Sequence, residues 1–240
     1  MTTAILARVV VGVDLSAASG AAVGAAGALA AATGASLVVV HAETWDVPPY
    51  FTGSQIAMLE AERVTARRAA EEYVREFVAA HTPTPAQVQV TEGRPVDVLL
   101  GATRGADVLV VGTDGQRAVR RWWLGSVAEA VVRASQVPVL VVRATSEGAA
   151  QSLFTTTGLR VLAAEPIGTT AARWLAVFRA ACRARVSTLA GLTTCSRDVL
   201  ASSDLLVVSS RSDVVGPETA EVLRSCTHPV LFVPDDVSRP

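Results

Sequence analysis

Four residues near the middle of the chain have types and spacing suited to holding phosphate. An apolar run, "DVLVV", ends at Gly112; Gly115 follows after two residues, and Gly125 and Ser126 after nine more. Without a Cβ, Gly112 and Gly115 let backbone amides approach a bulky anion and adopt positive φ at little cost. Gly125 and Ser126 stand where an apolar helical pattern, "SVAEAVVRAS", begins. Free N–H groups and the dipole at a helix start favour negative charge, and the Ser126 hydroxyl adds a donor. Two such sites can grip a polyphosphate from two sides. The same spacing also suits a glycine-rich structural turn. It is not a Walker loop, because no Lys-Ser or Lys-Thr follows the second glycine, and it is not GxGxxG. Between the glycine sites, Arg117, Arg120 and Arg121 can reach a triphosphate or form a solvated loop face. Trp122 and Trp123 read first as anchors of that loop in the core, with a cover over the site as the alternative.

The surrounding pattern says what must position these residues. "RVVVGV" (8–13) is a β-branched run ending at Asp14, and Ser16 stands at a helix cap before an Ala-rich helix to about Thr33. "SLVVVH" (36–41) is a second buried strand, followed by a long loop marked by Pro48 and Pro49. A helix with a charged face spans about Ala57 to Ala80, and "AQVQV" (86–90) alternates as a strand. A helix from Val96 to about Arg104, the strand "DVLVVG", the "SVAEAVVRAS" helix and the strand "PVLVVR" complete the series. Alternating strands and helices imply right-handed crossovers and a mostly parallel sheet covered on both faces. The expectation is a doubly wound α/β domain of five strands in the order 3-2-1-4-5 over residues 1–144. In such sheets ligands bind beyond the strand carboxyl ends, where the winding reverses. Asp14, His41, Ala42 and Gly112 all fall on that edge.

Composition excludes several classes. Half of the 240 residues are apolar, 18% are charged, and the net charge of −1 gives no footprint for nucleic acid or acidic lipid. The three cysteines form no CxxC, which suits a reducing compartment and a cytoplasmic location. Cys182 and Cys226 read as packing residues, and Cys195 as a loop residue with no nearby histidine. The three histidines, His41, His81 and His228, are scattered, so no metal-site spacing is visible. His41 reads first as a hydrogen-bonded strand-end residue. Leu15 to Val40 holds no charge, but its Ala and Gly content and the break at Gly34 point to a buried helix and strand, with no membrane span.

The second half repeats the first in reduced form. After a small, polar stretch at 145–158 that reads as a linker, residues 159–236 carry "RVLAAEP" against "RVVVGVD" and "DLLVVSSRS" against "DVLVVGTDG". "GPETAEVLRSCTHPVLFV" (216–233) likewise matches "GSVAEAVVRASQVPVLVV" (125–142). It lacks the long loop, the second helix and the third strand, so about four strands are expected. Ser209 and Ser212 replace the first two glycines, Pro217 replaces the serine, and Pro166 stands where Asp14 stood. That half is read as a degenerate repeat without a nucleotide site.

Residues 8–143 resemble the universal stress protein family in its ATP-binding branch. The branch pattern Gly-x2-Gly-x9-Gly-[Ser/Thr] is met by Gly112, Gly115, Gly125 and Ser126, and the openings "VVVGVDLS", "LVVVH" and "VPVLVV" match as well. The resemblance implies ATP, with Mg²⁺ alongside it. It implies Asp14 and the Ala42 backbone on the adenine and ribose side, and Gly112 near the ribose. Gly115, Gly125, Ser126 and the Val127 amide would take the phosphates. It further implies pairing through the fifth strand. Within one chain, "PVLVV" and "PVLFV" would pair as an internal pseudo-dimer, and a homodimer beyond that stays open. The expected function is a regulatory stress-response nucleotide binder with an unknown protein partner, in which ligand binding orders the 113–124 loop. It is not expected to be an enzyme; Asp114 is the one acid near the phosphates, so hydrolysis is slow at most. Two alternatives stand beside it. One is a nucleotide-free interaction module. The other is an adenylating α/β enzyme, against which "DLSAAS" replaces the usual HxGH or SGGxDS.

Overall fold

The computed structural model describes residues 6–44, 53–113, 125–144, 152–155, 158–190, 197–210, 226 and 228–234. The first half runs β1 (Arg8–Val13), α1 (Ala17–Thr33), β2 (Ser36–Glu43), α2 (Gly53–His81), β3 (Ala86–Glu92), α3 (Pro95–Ala102), β4 (Val108–Thr113), α4 (Ser126–Ala134) and β5 (Val139–Arg143). The second half runs β6 (Arg160–Ala164), α5 (Thr169–Cys182), β7 (Arg185–Leu189), α6 (Arg197–Ala201), β8 (Leu205–Ser210) and β9 (Val230–Pro234). All these strands form one sheet of nine, in the order β3-β2-β1-β4-β5-β9-β8-β6-β7.

Neighbours are parallel within each half. The halves meet where β5 and β9 pair antiparallel, Val139 with Phe232, Leu140 with Leu231 and Val141 with Val230. The first five strands thus keep the 3-2-1-4-5 order, and the join turns two sheets into one. Leu140 and Leu231 hold the same place in "PVLVV" and "PVLFV", so the two segments cross about a local two-fold. A single residue type anchors both halves at the amino end of the β1-type strand. Asp107 Oδ2 accepts from the amides of Ala7 (2.6 Å) and Arg8 (3.0 Å). Asp204 Oδ2 accepts from the Arg160 amide at 2.9 Å.

The sheet is covered on both faces, as near-continuous apolar strands require. One face buries Val9, Val11, Leu140 and Val142 with Leu159, Trp174 and Phe178, so a single core crosses the join. The other packs Leu109, Val111 and Val139 with Leu99, Val131 and Phe232. Helix α1 is buried over most of its length. Its small residues explain how: a Cβ on Gly20 would strike the His81 ring, and one on Gly27 would strike Thr82. The uncharged stretch is therefore a helix wedged against α2. Among the described residues no helix is long and apolar enough to cross a membrane. Gly34 ends α1 in the left-handed conformation at φ 73°, where glycine avoids the Cβ penalty.

The 145–158 stretch is not a plain polar spacer where it is described. Leu153 and Phe154 are buried. The Phe154 ring stacks 5.8 Å from Phe178, and the Cys182 thiol points to the Phe154 carbonyl at 3.8 Å. Two apolar residues among serines and threonines carried no periodic signal, so their burial was not visible in sequence. Cys182 and Cys226 are buried, and burial pushes Cys182 up to about 11, consistent with inert packing. Cys195, Ser212, Gly216 and Pro217 lie outside the described residues.

Candidate functional site

Strand β1 delivers Asp14 to the sheet edge, and the next two residues fix it there. Leu15 takes φ 64°, a strained setting for a leucine, which turns the chain sharply into α1. Asp14 Oδ1 accepts from the Ser16 hydroxyl at 2.6 Å and the Ser16 amide at 3.1 Å. Ser16 is the N-cap, its Oγ accepting from the Ser19 amide at 3.2 Å. Asp14 therefore does not cap α1 itself; it holds the residue that does. Partial burial pushes the Asp14 carboxyl up. Hydrogen bonds from the Ser16 side chain and amide and from Ser19 pull it down and prevail, leaving it below the ordinary 3.8. A carboxyl lowered in the fold stabilises it above its unfolded value, and that contribution fades as pH falls through the lowered one. An NMR titration of the Asp14 side chain should thus give a midpoint below 3.8, and Ser16→Ala should raise it; a wild-type midpoint at or above 3.8 would contradict this geometry.

Strand β2 brings His41 and Ala42 alongside. His41 Nδ1 donates to the Val13 carbonyl at 2.9 Å, the strand-end role expected for it, and the residue also lines the cleft. That cleft has a volume of about 190 Å³. Asp14, Ala42, Gly112 and Val127 line it together, as do Gly12 and Ala128. It lies beyond the carboxyl ends of β1 and β4, on either side of which the winding runs in opposite directions. Val13, Val40, Leu99 and Val111 make much of its wall apolar, which suits a flat, weakly polar ring.

Gly112 has a structural reason of its own. A Cβ there would run into the Ala18 carbonyl and come within 2.7 Å of the Ser19 amide nitrogen. Its small size lets β4 touch the first turn of α1. The expected approach of an anion to Gly112 is thus occupied, on the Cβ side, by the protein's own backbone.

Helix α4 supplies the polar end. Gly125 is its N-cap, with no side-chain cap bond, and Ser126 opens the helix. The first intrahelical bond runs from the Glu129 amide to the Gly125 carbonyl. The amides of Ser126, Val127 and Ala128 therefore have no carbonyl within the helix, and Val127 and Ala128 reach the cleft. Glu129 in the first turn is paired with Arg133 at 2.7 Å. Thr113 was not singled out in sequence, yet its Oγ1 accepts from the Gly125 amide at 3.3 Å and ties the end of β4 to the start of α4. The one hint was its place between Gly112 and the acid of "GTDG". Pro95 and Leu99, also in the lining, gave no signal, because they join the site only through the fold. Gly115, Arg117 and Arg120 lie outside the described residues, as do Asp114, Arg121, Trp122 and Trp123.

With this geometry in place, the likeness to known proteins has a structural footing. The profile described as "Universal stress protein family" matches residues 6–143. The chain belongs to the universal stress protein family. A family member, "Universal stress protein in QAH/OAS sulfhydrylase 3'region" from Thermus aquaticus, is 37% identical over 117 residues, covering 48% of this chain and 82% of that one. A solved universal stress protein described in complex with cAMP is 31% identical, with a TM-score of 0.43, covering 59% of this chain and all of that one. A universal stress protein from Archaeoglobus fulgidus DSM 4304 is 16% identical with a TM-score of 0.59, over 95% of this chain and 98% of its own. That last likeness speaks for the fold alone, but it extends across both halves of the sheet.

Proposed function

We propose that the first half of this universal stress protein binds an adenine nucleotide, as in the ATP-binding branch, and acts as a regulatory binder in the cytoplasm. What carries the reading is the cleft's polarity. An apolar hollow beside Asp14 and Ala42 leads to the start of α4, where amides without an intrahelical partner and the helix dipole suit phosphate. The glycine at 112 adds little, since packing against α1 already requires it. Asp14 and the edge of β2 would take the base and ribose, and Ser126 and Val127 the phosphates. Among the described residues no group of three His, Cys, Asp or Glu could hold a metal, so Mg²⁺ would arrive on the phosphates. The second half lacks this arrangement where it is described: Pro166 replaces Asp14, and the Ser209 hydroxyl donates to the Pro166 carbonyl at 3.1 Å. It is read as a degenerate repeat that contributes sheet and core.

Calorimetric melting with MgATP tests the proposal. At 100 times its dissociation constant the ligand should stabilise the fold by about 2.7 kcal/mol. For a chain of this size that raises Tm by about 5–10 °C. No shift, with no nucleotide released from the purified protein on denaturation, would overturn it in favour of a nucleotide-free interaction module. Release of pyrophosphate would instead mark an adenylating enzyme.

A further inference from the structure

A row of polar residues runs along one edge of the sheet and crosses the join. Thr113 of β4 pairs in register with Arg143 of β5. Val9 pairs with Val108, and five residues on, the same register sets Asp14 level with Thr113. On the other side Val141 pairs with Val230, so two residues further Arg143 stands level with His228. Leu206 pairs with Val230, which sets Asp204 level with His228. Arg160 comes next and binds Asp204 at 2.5 Å. The antiparallel join makes this possible, because the carboxyl edge of the first half continues as the amino edge of the second.

The row points to the face that carries α4. Leu109 and Val111 of β4, Val139 and Val141 of β5, and Val230 and Phe232 of β9 pack in the same core as Ala128 and Val131 of α4. Side chains alternate along a strand, so Thr113 and Arg143 share that face. Thr113 already holds the first amide of α4's start. Neighbouring strands lie about 4.8 Å apart, which puts Arg143 about 10 Å from Asp14 along the row. Arg143 lies outside the lining of the cleft itself, so a nucleotide with its ribose at Asp14 would reach it with the far end of its phosphate chain, past the α4 amides.

We propose that Arg143 receives the far end of the phosphate chain and gives the site its preference for nucleoside polyphosphates over nucleosides. This rests on the nucleotide reading above. Arg143 is half-buried, and its guanidinium can make charge-assisted, bidentate bonds to an anion. Burial also pulls its pKa below the usual guanidinium value, the direction that a phosphate neighbour would reverse. It is already engaged within the protein, and its five N–H donors can serve a second acceptor.

Titration calorimetry on the full chain tests it, with ATP and adenosine as ligands and Arg143→Gln and Arg143→Lys as variants. The Gln variant should bind ATP about 10- to 100-fold more weakly and adenosine as the wild type does. The Lys variant should recover part of the loss, since a point charge cannot fork onto phosphate. Equal ATP affinity in wild type and Gln variant overturns the assignment, and so does an equal loss for both ligands, which would mark a purely structural arginine. Should the Gln variant not fold, the Lys variant decides: a lowered ATP-to-adenosine ratio supports the role and an unchanged ratio overturns it. A wild type that binds neither ligand overturns the nucleotide reading itself, and this inference with it.

Discussion

Replacing Phe178 with alanine should cost the protein about 3–5 kcal/mol and lower Tm by about 6–20 °C. The side chain is 1% exposed. Its ring lies 5.4 Å from Trp174 and 5.8 Å from Phe154, so truncation leaves a cavity between two buried aromatic rings. The loss should reach beyond the second half. Phe178 shares one core with Val9, Val11 and Val142 of the first half and with Leu159, Leu205 and Leu231 of the second. Scanning calorimetry should therefore show one transition moving as a whole. Two transitions, only one of them shifted, would show that the halves melt separately and that the common core does not couple them.

Gly112→Ala should rank next, at about 3 kcal/mol, the upper end of what overpacking costs. The added methyl meets backbone, at the Ala18 carbonyl and the Ser19 amide, and no side-chain rotation can relieve it. The start of α1 must retreat, which loosens the Ser16 cap and the Asp14 turn together. Melting should thus reveal a less stable protein, and MgATP should no longer raise its Tm. Retention of the full ligand shift would mean that the α1 turn and the cleft are independent. Gly125→Ala is the matched control for the fold, because a Cβ there meets nothing within 4 Å.

The contrast between those two glycines shows where sequence reading ends. Strand and helix positions were legible because burial imposes its own periods: "RVVVGV" reads as a buried strand and Ser16 as a cap. Even so, β2 continues to Glu43 and α2 starts at Gly53, since strand pairing with β3 and helix propagation extend elements past their strongest patterns. The site was legible as a sheet edge, and the structure brings Asp14, Ala42, Gly112 and Val127 into one cleft. The reason for Gly112 was not legible, because the atoms it avoids are on α1, remote in sequence. The same holds for Phe154, whose partner Phe178 sits on another element, and for Arg143, whose neighbours come from β4 and from the segment just before β9. Contacts between distant segments leave no local period to read.

Among the described residues the second half shows no counterpart of β3, and β6 is the one strand beside β7. Its sequence, "RVSTL", is correspondingly polar, with Arg185, Ser187 and Thr188 exposed, whereas the matching "SLVVVH" of the first half is enclosed on both sides. A rim built from that apolar segment would invite further chains to zip onto it. Ending the sheet at β7 and making that outermost strand hydrophilic are thus two sides of one solution, and a variant given valines at 187 and 188 would be expected to stack into aggregates while its cleft remained intact.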